Sequence, residues 1–292
     1  MLTNEEIEYL KVIISQIRIN HPTLSFRAMY HKILPQNIGR DKFELVCKDL
    51  GFALKRKHNT HKTTNSTGVI RFDNLLEKLQ LDRINQAWSS DITYFEVADV
   101  FYYITFILDC YSRVIVGHQV SKRLLTEHTT LPALRMALKM RKYTLPFGLI
   151  FHSDGGGQYY DKEFIKLTNT FKMQNSMCEM PYENGKAERL NGVIKNNYLV
   201  FYNIKNFDEL AENVDRAVTL YNNDRPHKSI NYMTPFGFEK KILISQVQTK
   251  PKMKESFEAK EQNYGVSNPI ISVQTKPQNH DVFTANTKGD LG

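Results

Sequence analysis

The sequence predicts a mixed α/β domain, a five-stranded sheet covered by helices, preceded by a small all-α region and followed by a tail without periodicity. Three observations carry this. Short helical patterns fill residues 4 to 50, β-branched and aromatic runs begin after Trp88, and helical and strand-like segments alternate from about residue 126. The 292 residues, 41% of them hydrophobic, suffice for one large domain and a smaller one.

In the N-terminal part the patterns predict helices from Asn4 to Arg18, from Pro22 to Ile33, with proline in the first turn, and from Asp41 to Leu50, stopped by Gly51. Three short helices within about 50 residues fit a helix-turn-helix-like DNA-binding region, here residues 1–58, and equally a plain helical bundle. The polar stretch "KRKHNTHKTTNSTG" (55–68) opens a basic linker, 59–84. Without a CxxC beside His58 and His61, phosphate contact by Lys55, Arg56 and Lys57 is the stronger expectation than zinc.

"DITYFEV" (91–97), "FYYITFILD" (101–109) and "RVIVGHQV" (113–120) read as an antiparallel meander whose middle strand is apolar on both faces. A helix broken near Pro132 follows. Then come the strand "FGLIFHSD" (147–154), the helix "DKEFIKLTNTFK" (161–172), the short strand "QNSMC" (174–178) and a helix from Gly185 to Leu199. A helix over Phe207–Tyr221 ends before Pro226, closing a domain of residues 85–240. Residues 241–292, with "VQTKP" twice, are expected to be disordered for want of apolar surface.

Strand-end acids narrow the chemistry. Asp91 is expected to begin the first strand and Asp154 to end the fourth, so adjacent strands would bring two carboxylates together as hard ligands for Mg²⁺ or Mn²⁺. Asp109, in the tight connection "DCYSR", is read as structural, with Arg113 as a candidate partner, and is kept as the reserve candidate for the acid site. In "PYENGKAERLNGVIKNN" (181–197) the residues Ala187, Leu190, Ile194 and Tyr198 form the buried stripe, with Glu188, Asn191 and Lys195 along its edge. Glu188 is therefore the third candidate ligand, whereas Glu183 would favour the helix start. Lys195, seven residues beyond Glu188, is a candidate phosphate contact. The turn "HSDGGGQYY" would let a nucleic-acid backbone approach Asp154 and present Gln158 and Tyr159 to it. His152, Asn191 and Arg225 complete the candidate DNA contacts. A net charge of +8 suits such a polyanion. Cys47, Cys110 and Cys178, widely spaced, are expected as reduced thiols.

The motifs "WSSDITYF", "DCYSRVIVGH", "HSDGGGQYY", "NSMC", "YENGKAERLNGVIK" and "YNNDRPHKSINYMTP" resemble, in this order, insertion-sequence transposases with a retroviral-integrase-like core, specifically the orfB protein of the class encoded by two overlapping frames. The resemblance spans residues 20 to 240. It implies an RNase H-like fold and a DDE triad of Asp91, Asp154 and Glu188 holding two Mg²⁺ or Mn²⁺ ions, with Lys195 on the element end. Family members usually carry Asp-Asn where this chain has Glu183-Asn184, and a slightly longer connection before it. The implied activity is nicking at element ends followed by strand transfer. The implied partners are element-end and target DNA, an upstream-frame (orfA) protein or frameshift fusion, and further copies of the chain assembled on DNA. The alternatives are an RNase H-like nuclease without strand transfer and a DNA-binding regulator or decayed copy. The N-terminus lacks a signal-peptide plan and no apolar run reaches membrane-spanning length, so a cytoplasmic, nucleoid-associated protein is expected.

Overall fold

The computed structural model describes residues 2–54, 72–178 and 184–246. The chain divides into two units, 1–244 and 245–292, and the second lies almost wholly outside the described residues. The expectations for Lys55, Arg56, Lys57, His58, His61, Glu183 and the tail fall outside them as well.

Helix α1 (Asn4–Asn20) opens with a capping box in which Thr3 and Glu6 satisfy each other's backbone amides. Helix α2 (Phe26–Ile33) does not start at Pro22. Ser25 is its N-cap, accepting from the Ala28 amide, and Pro22 lies in the preceding turn. With α3 (Arg40–Asp49) these helices enclose a small core of Leu10, Ile14, Met29, Phe43 and Cys47.

Strands β1 (Ala87–Val97), β2 (Val100–Asp109) and β3 (Ile115–Ser121) form the expected meander. β4 (Ile150–Ser153) and β5 (Gln174–Met177) add in parallel to give a sheet ordered β3-β2-β1-β4-β5. β1 starts four residues earlier than its β-branched run, because Trp88, Ser89 and Ser90 are buried where the central strand pairs on both sides. Asp91 thus sits inside the strand rather than at its start.

Alternate residues of β2 serve opposite faces. Ile104, Phe106 and Leu108 meet α6 (Gly185–Asn197) and α7 (Phe207–Asn223). Ile107 meets α4 (Thr130–Met140) and α5 (Lys162–Thr170) on the other. Burial of each such side chain contributes about 1.5–3 kcal/mol. Pro132 does not break a helix. A 3₁₀ turn at Thr126–His128 precedes α4, and the proline falls in α4's first turn, where its missing N–H has no intrahelical role. Gly117 permits the closest approach of helix to sheet: a Cβ there would lie 2.2 Å from the Ala133 carbonyl oxygen.

The end of the expected linker is packed, with Leu76, Leu79 and Leu81 against Ala87, Cys110 and Ile150. All three cysteines are buried, and no disulfide joins them. Among the described residues no helix is long and apolar enough to cross a membrane.

Several side-chain contacts tie the helical region to the sheet domain. The His21 ring, fully buried, bonds the Tyr198 hydroxyl (2.9 Å) through Nδ1 and Asp224 Oδ2 (2.8 Å) through Nε2. Lys32 Nζ donates to both the Asp224 carbonyl and its carboxylate, and the His31 and Tyr232 rings stack at 3.8 Å. Burial works against the Asp224 charge, yet the Lys32 and His21 hydrogen bonds outweigh it and hold the carboxyl below its usual range.

Candidate active site

β1 and β4 run parallel with Ala87 opposite Ile150 and Ser90 opposite Ser153. One register step further lie Asp91 and Asp154. β4 ends at Ser153 while β1 continues, so the two acids flank the carboxyl end of β4, the usual place for a site in an open sheet. Asp91 points to the face covered by α6: Asn191 Nδ2 donates to its Oδ2 at 2.8 Å. Two residues on and on the same face, Thr93 Oγ1 accepts from Lys195 Nζ at 3.2 Å, and that ammonium lies 4.9 Å from the Tyr94 ring centroid.

Burial pushes the Asp91 carboxyl up from 3.8 to about 7, with the Asp154 charge and, more weakly, the Glu188 charge adding to it. Burial also raises Asp154, against the opposing hydrogen bond from the Gly156 amide at 3.2 Å. Lys195 is lowered by burial and drawn back by Asp91. Glu188, in the first turn of α6, is exposed to solvent. Among the described residues no three His, Cys, Asp or Glu side chains converge closely enough to hold one ion. What converges is a half-buried carboxylate pair with a third acid near enough to act on Asp91 electrostatically. Its donor chemistry fits a hard divalent cation: the carboxylates carry unneutralised charge, and beside them the buried Asn191 Oδ1 lacks a hydrogen-bond partner among the described residues.

α6 is placed by its own sequence. Ala187, Leu190 and Ile194 are buried as its stripe, and Asn184 Nδ2 donates to the Ser90 carbonyl (2.9 Å), fixing the helix start against β1 next to Asp91. Gly156 keeps the space over Asp154 open, since a Cβ there would lie 3.0 Å from Asp154 Oδ1.

Some of the expected contacts move inward. Tyr159 is 2% exposed, packs against Phe151 and Phe164, and shares a 2.9 Å hydrogen bond with Ser90 Oγ. It is a core residue beneath the acids rather than one presented to a substrate. His152 is fully buried in β4, with Nδ1 2.9 Å from Ser176 Oγ, so it offers no surface for DNA. Asn191, 6% exposed, positions Asp91 instead of reaching outward. Gln158 is partly exposed and reaches the Leu124 carbonyl, and Arg225 lies 5.9 Å from the Tyr198 ring, away from the acids on the helical region's side. Asp109 is structural as expected, but its bonds come from the amides of Asn85, Tyr111 and Ser112, with Arg141 Nη2 at 3.7 Å as the nearby cation; Arg113 contributes only a backbone amide to the Asp109 carbonyl.

A five-stranded sheet in this order, with one acid on its central strand and another just past the adjoining parallel strand, defines an RNase H-like integrase core. Two models described as integrase core domain match the sequence, over residues 82–181 and 170–235. The chain is 32% identical over 209 residues to the insertion element IS600 uncharacterized 31 kDa protein of Shigella sonnei, covering 70% of this chain and 76% of that one. It is 29% identical over 236 residues to the transposase for insertion sequence element IS629 of Shigella sonnei, 77% of each. The HTLV-2 integrase catalytic core domain in complex with magnesium is similar at a TM-score of 0.43 and 21% identity, covering 53% of this chain and 96% of that chain. The chain belongs to the insertion-sequence transposases with an integrase core.

Proposed function

We propose that this protein nicks DNA at the ends of an insertion element and joins the freed 3′ ends to other DNA, using Asp91, Asp154 and Glu188 as its acid site. The observation that carries this reading is the placement of Asp91 and Asp154 at matched positions on parallel neighbours, where burial and then the Asp154 charge lift Asp91 to about 7. Two carboxylates held this way, with Lys195 as the nearby cation and Glu188 as a further acid, form a site useful chiefly to a divalent cation. Mg²⁺ or Mn²⁺, one or two ions held by the three acids, would supply Lewis-acid activation of the attacking oxygen and charge stabilisation at phosphorus. Glu188, exposed in the first turn of α6, is close enough for its charge to act on Asp91 and is the third acid of this reading.

The chain's own residues do the rest. Asn191 fixes one Asp91 oxygen, leaving the other for the site. Lys195, held by Thr93 and half-buried, offers a positive charge to a phosphate two helical turns from Glu188. The Gly155–Gly157 turn lets a backbone come close to Asp154. Assembly of several copies on DNA, cooperation with an upstream-frame protein, and DNA recognition by the helical region belong to the same reading.

The test uses labelled duplexes ending in the element's terminal sequence. Asp154→Asn should abolish cleavage while retaining DNA binding; cleavage at the wild-type rate would refute the assignment. Wild-type hydrolysis without joined products would reduce the protein to an RNase H-like nuclease.

A further inference from the structure

A groove of about 760 Å³ runs between the helical region and the sheet domain, away from the acids. Its walls are the start of α2, the segment Arg225–Lys228, and Val193 of α6, the helix that also carries Glu188. Its charge is lopsided. Arg18 is committed to the carbonyls of Pro22, Leu24 and Phe52 and is set aside. Arg27 and Lys228 remain as exposed cations, with Arg225 behind them, half-buried and hydrogen-bonded to Tyr198, against the single acid Glu44. Among the described residues, neither Arg225 nor Lys228 has a carboxylate within 4.0 Å, and the Arg27–Glu44 contact (3.2 Å) is a surface ion pair of small worth. The first amides of α2, unpartnered within the helix, add a positive end to the same wall. His227, also in the wall, is pushed down to about 3, first by burial and further by the Arg225 and Arg113 charges.

We propose that this groove is a second nucleic-acid contact, receiving the phosphodiester backbone of duplex DNA on Arg27, Arg225, Lys228 and the α2 N-terminus. The inference rests on the transposase reading and assigns it a surface outside the acid site. A repeating line of phosphates suits an open groove with three separated cations better than a compact anion does. The contact carries no base readout, so it serves flanking or target DNA of any sequence. Because α6 forms both a wall of this groove and the mount of Glu188, the groove and the acid site share one rigid element.

The probe is a labelled duplex of about 30 base pairs and arbitrary sequence, bound by the full chain across a NaCl series, with no catalytic readout. The double variant Arg27→Gln/Lys228→Gln should lower the slope of log K against log salt by about 2, one unit for each lost phosphate contact. Arg27→Lys/Lys228→Arg keeps the charge and should restore the slope, which separates charge from folding. Lys139→Gln/Lys166→Gln removes the same charge from exposed positions on α4 and α5, across the sheet, and should leave the slope unchanged. An unchanged slope in the groove variant, or an equal fall in the α4/α5 control, overturns the proposal while leaving the transposase reading intact. A wild-type chain that binds no duplex at any salt overturns both.

Discussion

Asp91→Asn should make the metal-free protein more stable while removing its activity. The Asp91 carboxyl is raised from 3.8 to about 7, first by burial and then by Asp154 and Glu188. The sign follows from linkage: the folded chain holds this proton more tightly than the unfolded chain, so the contribution is fully present below the unfolded value and is lost as pH rises to about 7. A shift of about three units at about 1.4 kcal/mol each sets a ceiling near 4 kcal/mol at pH 8. Relaxation around the charge reduces this to roughly 2 kcal/mol, and at about 2–4 °C per kcal/mol the variant should melt about 4–8 °C above wild type. The assay is thermal denaturation in chelator at pH 8 and pH 5. The gap should shrink by more than half at the lower pH, where wild-type Asp91 is protonated in the folded state. Adding Mg²⁺ at pH 8 should raise the wild-type midpoint and leave the variant nearly unmoved. A variant that melts at or below wild type at pH 8 in chelator would refute the claim that these carboxylates strain one another.

Asp224→Ala should cost about 1–3 kcal/mol by leaving the buried His21 Nε2 without its acceptor and Lys32 unpaired, read by chemical denaturation; a change under about 0.5 kcal/mol would contradict the role assigned to this junction. Gly117→Ala should destabilise by about 2 kcal/mol or more, because its Cβ meets the Ala133 carbonyl at 2.2 Å and either β3 or α4 must shift; a melting temperature equal to wild type would show that the approach is looser than described.

The meander was legible because β1, β2 and β3 are rich in β-branched and aromatic residues and follow one another with short connections, so local pattern and pairing coincide. The nearness of Asp91 and Asp154 was legible too, but for a partly mistaken reason. Asp91 was expected at a strand start, and in the fold it matters because β4 stops one step short of it, a property of pairing between distant segments that periodicity does not encode. Helix phase predicts Glu188, Asn191 and Lys195 along one edge, and Asn191 and Lys195 both meet β1. It could not say that Asn191 would turn to Asp91 while Glu188 stayed in solvent. The errors at His152 and Tyr159 share a cause: polar atoms near the acids look like contacts in sequence, whereas in the fold Ser176 and Ser90 satisfy them inside. The junction of His21, Lys32, Tyr198 and Asp224 joins segments about 200 residues apart, and no local pattern announces it.

The most direct test is product analysis with labelled element-end DNA and Mg²⁺, comparing wild type with Glu188→Gln. Glu188 is the acid that the fold leaves most exposed and that the account most needs. Wild type should yield both nicked and joined strands, and Glu188→Gln should bind the same DNA and yield neither. Nicked and joined products from Glu188→Gln at the wild-type rate would contradict a site built from Asp91, Asp154 and Glu188.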